Sequence, residues 1–331
     1  MNEIVIDLSA NRSLRVVVVS SSGFDYFLPY IESEDIDLVG VMDMSLPKPS
    51  DSGHTGSEKI ICFLRRLKRI RSDWKAKRKL CDRDCHYYRY NQYQFDELER
   101  RLREMEPDVV IVYKMPIFKP HILSIPKIGI INIHPSLLPK YRGGSPILWM
   151  SKNFDLKGGV TVHMMDVKED TGPILAQKEF DITSGMSETE ILNRAIHEHG
   201  IPLSLNVMRD LAQGRCSPLV QKGGSPTEYA YNKKPDQIWH LIDWEAWGLE
   251  HTWHMLRCRP FWKDKLPPHK GWRSWVEWEI GNYIPAFNDN GPGQVLSVAG
   301  GYAISHKEGW IKIKPVIRPS HIIRRMLKVF S

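Results

Sequence analysis

The chain of 331 residues is short of the features that mark several protein classes. It has five cysteines, an odd number, at positions 62, 81, 85, 216 and 258. They are too few and too scattered for a disulfide-stapled scaffold and fit a reducing compartment. No apolar run exceeds about five residues, whereas a bilayer-crossing helix needs roughly 20. The opening Met-Asn-Glu-Ile-Val-Ile-Asp carries acids where a secretory leader would be basic, so a cytoplasmic location is expected. Phosphate cradles are missing too. There is no Gly-x-Gly-x-x-Gly and no Gly-x-x-x-x-Gly-Lys-Ser/Thr, and the first strand leads into Ser20-Ser21-Ser22-Gly23-Phe24. Neither a dinucleotide nor ATP is indicated by those motifs.

What is present is 42% hydrophobic and 26% charged, enough for real cores in a globular chain of about two domains. The net charge of +7 is local. Residues 65–89 hold eleven Lys/Arg against three Asp, so the rest of the chain is close to neutral. The basic character therefore belongs to one segment and not to the whole surface.

The first half alternates strand and helix patterns. Strands are expected at residues 14–20, 36–42, 108–113 and 128–133, then at 159–166 and 173–182, with helices at 24–34 and 96–105. Ser187 and Glu190 form a capping-box pattern that opens a helix toward residue 214, with a break near Gly200-Ile201-Pro202. Buried strands alternating with helices predict an α/β, Rossmann-like, mainly parallel sheet covered on both faces. Lys222-Gly223-Gly224-Ser225-Pro226 reads as a linker. It separates a first domain, residues 1–220 with its core at 14–214, from a second at 227–331. Nine of the eleven tryptophans lie between Trp239 and Trp310. A helix over residues 235–257 and short strands with Gly-containing turns there predict a small β-barrel of OB-like type.

The richest stretch runs Ile131-Asn132-Ile133-His134-Pro135-Ser136-Leu137-Leu138-Pro139-Lys140-Tyr141-Arg142-Gly143-Gly144. Asn132 and His134 are two apart on a strand, so both side chains point to one face. Pro135 ends the ladder, which puts them at the strand's carboxyl end, where ligands bind in open α/β sheets. An amide and an imidazole there can donate to a developing oxyanion, and the imidazole can move a proton. Alone, such a pair can equally do no more than satisfy loop backbone. Further on, residues 159–170 form a strand running into an acid-rich loop, with Asp170 before Thr-Gly-Pro. A carboxylate there can orient a histidine, or can simply be turn chemistry.

Taken together, Asn132-x-His134-Pro-Ser-Leu-Leu-Pro, the Tyr141-Arg142-Gly143 after it, and Asp170 resemble the folate-dependent formyltransferases. That family includes methionyl-tRNA, amino-sugar and glycinamide ribonucleotide formyltransferases. The resemblance covers about residues 14–214, and more loosely the part after Pro226, through Ile242-Asp243-Trp244 and Arg257-x-Arg259-Pro260. It implies formyl transfer from 10-formyltetrahydrofolate to a primary amine, with Asn132, His134 and Asp170 as the catalytic trio and no metal. Ser136, Leu137, Leu138 and Pro139, and Asp166, Val167, Lys168 and Glu169, resemble the folate-binding segments. Tyr113, Lys114, Met115 and Pro116 occupy the place of the loop lining the pterin pocket. Tyr141-Arg142-Gly143-Gly144-Ser145-Pro146 departs from the Trp-Arg-Gly-Ala-Ala-Pro of the tRNA enzymes. The expected acceptor is accordingly a nucleotide-linked amino sugar, with initiator methionyl-tRNA as the alternative.

The basic stretch 65–89, with Trp74, Tyr87, Tyr88 and Tyr90 among its charges, suits RNA by composition. Ile61, Leu64, Leu67 and Trp74 recur at nearly helical spacing, which favours a solvated amphipathic helix. Cys81-x-x-x-Cys85-His86 has uncommon spacing for zinc and no partner pair, so it reads as a surface loop.

Overall fold

A computed structural model describes residues 13–22, 26–34, 36–46, 78, 80, 85–91, 94–267, 276–298 and 301–318. The apolar stripe 61–74, most of the basic segment and Cys81 lie outside them. In chain order the first part runs β1 (Arg15–Ser20), α1 (Leu28–Glu32), β2 (Asp37–Leu46), β3 (His86–Asn91), α2 (Phe95–Met105) and β4 (Val109–Tyr113). It continues α3 (Pro120–Leu123), β5 (Gly129–His134), α4 (Pro146–Lys152), β6 (Lys157–Met164), β7 (Ile174–Asp181), α5 (Glu188–Asn193) and α6 (Ile201–Ala212). These strands form one seven-stranded sheet in the order β3-β2-β1-β4-β5-β6-β7. Strands β1 to β5 are parallel, whereas β6 and β7 run antiparallel.

The strand order reverses between β1 and β4, which opens a crevice at their carboxyl ends. The sheet is built from apolar runs because both its faces are covered. Val16 and Val18 of β1 and Val109 and Ile111 of β4 join one core, while Val17, Val19, Val110 and Val112 join the other. Each is fully buried and stabilises by about 2 kcal/mol. The second core is roofed by α2 through Leu98, Leu102 and Met105, with Arg100 and Arg101 turned outward to Glu97 and Glu104.

Several expectations need correction. Residues 86–91, which take in the end of the basic stretch and the His86 of the expected surface loop, form the edge strand β3. Alternating aromatic residues pair it in parallel with β2, and Arg89 and Tyr87 reach the buried carboxylate of Asp43. His86 is thus a strand residue. The break expected near Gly200 is absent: residues 194–200 make a wide π-type turn that carries α5 straight into α6. Pro202 has no N–H to donate back along this continuous run, and the wide π-type register of residues 194–200 falls where the proline leaves that bond unmade. Gly200 permits the close approach, since a Cβ there would lie 2.8 Å from Ile133 Cγ2.

Among its described residues the second part holds α7 (Pro235–Trp239), α8 (Leu249–Cys258), a 3-10 stretch (Phe261–Lys265), and strands β8 (Glu277–Pro285), β9 (Val295–Val298), β10 (Gly301–His306) and β11 (Gly309–Val316). The expected single helix over 235–257 is two, split at residues 240–248. Among the described residues the strands form a four-stranded antiparallel sheet, β8-β11-β10-β9, which does not by itself make up the expected small β-barrel. Its apolar face, with Trp278, Ile280, Tyr302, Ile304, Ile311 and Ile313, continues into the first core.

Helix α8 joins the two parts. His251 stacks between Trp247 and Phe154 and bonds the Lys152 carbonyl at 2.9 Å. Gly185 N–H donates to His254 Nδ1 at 2.9 Å, and Arg257 Nε donates to the Gly185 carbonyl at 2.6 Å. No helix of the described residues is long and apolar enough to cross a membrane.

Candidate functional site

Strand β5 ends at His134, beside the crevice. Its antiparallel neighbour β6 pairs His163 with Asn132, and the loop after β6 brings Asp170 back over both. Asp170 adopts φ +55°, a left-handed conformation for a residue with a side chain. Gly172 makes the turn possible, because a Cβ there would lie 2.0 Å from the Met164 carbonyl oxygen.

Four groups converge on the Asp170 carboxylate. His134 Nδ1 lies 3.5 Å from Oδ2, and His163 Nε2 lies 3.5 Å from Oδ1. Asn132 Nδ2 donates to Oδ1 at 3.4 Å, and Gly143 N–H donates to Oδ2 at 2.9 Å. The ring orientations are settled by carbonyls, which only accept. His134 Nε2 donates to Tyr141 O at 3.0 Å, and His163 Nδ1 donates to Met164 O at 2.8 Å. Asn132 Nδ2 also lies 3.2 Å from His163 Nε2.

Burial sets the electrostatics. It pushes the His134 imidazole below its ordinary value, against the opposing pull of Asp170. It also works to raise Asp170, but the charge of His134, the hydrogen bond of His163 and the Gly143 N–H outweigh it. The carboxyl is thereby held well below the usual carboxylate range. Next to it, burial and the neighbouring Asp170 raise Glu169, whose carboxylate takes a hydrogen bond from the Tyr229 hydroxyl.

The cluster opens into a cavity of about 400 Å³. Tyr113, Lys114 and Met115 form one wall, Pro135 and residues 143–147 another, and Glu188, Leu192 and Arg259 close the far side. Arg259 reaches in from the end of α8 and pairs through two nitrogens with Glu188, so the second part of the chain supplies one wall of the cavity. A smaller pocket of about 40 Å³ shares Asn132, Met115, Glu169 and Asp170 and adds Ile117, His163, Met165, Asp166 and Lys168.

The sequence-predicted residues thus separate into two groups. Asn132, His134 and Asp170 come together, and Tyr113, Lys114, Met115, Asp166, Lys168 and Glu169 line one or both pockets. Pro116 is exposed and lines neither, and Val167 is 61% exposed. Ser136, Leu137, Leu138 and Pro139 also line neither. They are turned to structural work beneath the site: Ser136 Oγ donates to Lys140 O, its carbonyl accepts from Thr161 Oγ1, and Leu138 N–H donates to the same hydroxyl. Among the site residues, Glu188 and Tyr229 were not singled out in the sequence, and Arg259 and His163 were noted only as parts of longer motifs with no role at the site. His163 sat in an ordinary strand pattern, and only the register of β6 against β5 reveals its place.

A buried carboxylate with an amide and an imidazole beside it, at the carboxyl edge of an open α/β sheet, is equipped to take a proton from a nucleophile and to donate to an oxyanion. That is the chemistry of acyl transfer. Comparison with known proteins agrees. A family model described as formyl transferase matches residues 47–206. The methionyl-tRNA formyltransferase of Clostridium beijerinckii is 32% identical over 227 residues, spanning 68% of this chain and 71% of that protein. The corresponding enzyme of Clostridium tetani is 32% identical over 222 residues, 66% of this chain and 69% of that one. The chain belongs to the formyltransferase family, whose reaction is formyl transfer.

Among solved structures, an N-formyltransferase of Helicobacter canadensis, in complex with folinic acid and dTDP-3-aminofucose, shares the fold. Its TM-score is 0.54 at 14% identity, covering 91% of this chain and 99% of that one. HypX of Aquifex aeolicus, in complex with tetrahydrofolic acid, aligns with TM-score 0.53 at 16% identity over 91% of this chain and 44% of its own.

Proposed function

We propose that the enzyme transfers a formyl group from 10-formyltetrahydrofolate to the primary amine of a nucleotide-linked amino sugar, with Asn132, His134 and Asp170 as its catalytic residues. The observation that carries the proposal is the convergence of Asn132, His134, His163 and the Gly143 N–H on one ionised, buried carboxylate beside a cavity. The donor's site fits the residues present. Met115, Ile117 and Met165 give an apolar flank beside Asn132 and Asp170, suited to a flat pterin ring.

The chemistry follows from these groups. The neutral amine attacks the formyl carbon, and Asp170 takes the proton it sheds. The tetrahedral oxyanion accepts a hydrogen bond from Asn132 Nδ2, while His134, whose one proton in the neutral ring is held by the Tyr141 carbonyl, presents a bare Nδ1 beside Asp170 that can share the shed proton with it. At 3.5 Å from Asp170, His134 Nδ1 is beyond ordinary hydrogen-bond range and is not committed there. Collapse breaks the bond to N10 of the folate, which picks up a proton, and leaves a formamide on the sugar.

Two observations support a small acceptor. The cavity of about 400 Å³ is the size of a small-molecule site. In addition, Gly144 stands where a Cβ would meet Asn232 Nδ2 at 2.6 Å, so the Gly143-Gly144 pair is built into this pocket's packing. A second reading, initiator methionyl-tRNA, is favoured by the identity of 31–37% to methionyl-tRNA formyltransferases. The deciding experiment measures formyl transfer from 10-formyltetrahydrofolate to a panel of amino-sugar nucleotides and to methionyl-tRNA. Efficient turnover of a sugar nucleotide supports the first reading; turnover of methionyl-tRNA alone replaces it with the second.

A further inference from the structure

Asp170 turns its side chain into the site, where the Gly143 N–H and Asn132 hold its carboxylate. What holds its backbone comes from 51 residues further on. Gln221, next to the stretch that reads as a linker, places its amide against the catalytic loop. Nε2 donates to the Asp170 carbonyl at 3.0 Å and to the Gly172 carbonyl at 2.7 Å. Oε1 accepts from Arg142 Nε at 3.2 Å and Nη2 at 2.7 Å. The assignment of the amide is forced, because a guanidinium only donates and a carbonyl only accepts. All four hydrogen-bonding directions of the amide are engaged within the protein.

Arg142 is itself 8% exposed. Its backbone leads into Gly143, whose N–H donates to the Asp170 carboxylate. One amide therefore ties together the two loops that meet at the carboxylate: the loop that carries Asp170 and the loop that donates to it. Leu219, two residues earlier, pairs with Ile174 through both its N–H and its carbonyl, at 2.7 and 2.8 Å, which anchors the segment that presents Gln221.

We propose that Gln221 is a positioning residue for catalysis. It clamps the turn 170–172 so that the Asp170 carboxylate stays between His134 and His163, with Arg142 fixing the amide. This rests on the reading of Asp170 as a catalytic residue. Gln221 lines neither pocket, so the clamp acts through Asp170 and through the Arg142–Gly143 loop that donates to it.

The test follows the His134 imidazole by NMR across pH in the wild type and in D170N, Q221M and Q221E. Asp170 raises the His134 titration, so D170N lowers it. Q221M, which keeps the length and apolar bulk but loses all four hydrogen bonds, is expected to lower it in the same direction. In the transfer assay Q221M is expected to cut kcat roughly ten- to hundredfold with little change in KM, as misplacement of a reacting group does. Q221E guards against simple unfolding. It keeps a partner for Arg142 but turns oxygen toward both carbonyls, so it should fold and still show the lowered titration. A wild-type His134 titration in Q221M or Q221E, beside a lowered one in D170N, overturns the clamp. An unchanged titration and full activity in D170N overturn the reading of the site instead, whatever the Gln221 variants do.

Discussion

The Tyr141 carbonyl accepts from His134 Nε2 at 3.0 Å and so decides which nitrogen of that ring carries the proton. The other nitrogen, Nδ1, is left facing Asp170 and gains a proton only when the ring is charged. Tyr141 adopts φ +56° to present that carbonyl, and its own N–H is satisfied by Thr227 Oγ1 at 2.7 Å.

The first prediction is the pH dependence of kcat/KM. Because burial lowers His134 and its neighbours hold Asp170 low, the neutral imidazole and the ionised carboxylate coexist over the whole neutral range. Activity should be flat there and fall only on the acid side, at a pH below the ordinary histidine value of about 6.5. An acid limb at or above that value would contradict the assignment.

Removing the trio should cost rate and spare the fold. His134→Ala and Asp170→Asn are each expected to reduce kcat by about a hundredfold or more, with far-UV circular dichroism unchanged. Near-wild-type turnover in His134→Ala would sink the mechanism.

Gly172→Ala tests the turn that presents Asp170. A Cβ would lie 2.0 Å from the Met164 carbonyl oxygen, so the turn must open. The expected cost is about 3 kcal/mol in urea denaturation, together with loss of most activity.

The acceptor can be separated by charge. Reversal of Arg65, Arg66, Arg69 and Lys77 to Glu should leave amino-sugar formylation within a few fold, and tRNA binding by the wild type should be weak and non-specific. A steep salt dependence of tRNA binding, with selective loss of methionyl-tRNA formylation in that variant, would promote the tRNA reading.

Burial and the nearby His251 lower His254 from 6.5 to about 4, and its Nδ1 takes the Gly185 N–H. The folded state therefore resists a proton that the unfolded chain accepts. Stability should be full above pH 6.5 and decline as the pH falls toward 4. Thermal melts of His254→Gln should show a shallower decline over that interval; an identical decline would place the acid sensitivity elsewhere.

The strand that carries the proposed catalytic pair was legible because its signal is local: Asn132 and His134 two apart, followed at once by a proline. The sheet was legible for the same reason, since valine runs on β1 and β4 need no distant information. What escaped depends on pairing across the fold. His163 becomes a site residue only through register with Asn132. Tyr87 and Arg89 look like part of a basic surface until Asp43, on the neighbouring strand, takes both. Glycine density around Gly223 and Gly224 suggested a passive tether, yet a Cβ at either would meet nothing within 4 Å, so those two glycines alone are slack. The flanking residues are tightly engaged.

That engagement bears on how this enzyme can be cut and rejoined. Beyond the glycines, Thr227 receives the Tyr141 N–H, Ala230 exchanges bonds with Arg142 and Ser145, Tyr231 accepts from Trp149, and Asn232 accepts from Ser145. A fragment ending near residue 222 would strip a strap from the catalytic loop, whereas one ending after residue 232 would carry it along. A chimera that borrows a C-terminal part from a relative should have its splice junction after Asn232. It must also inherit Arg259 together with a matching Glu188, since that pair is split across the seam.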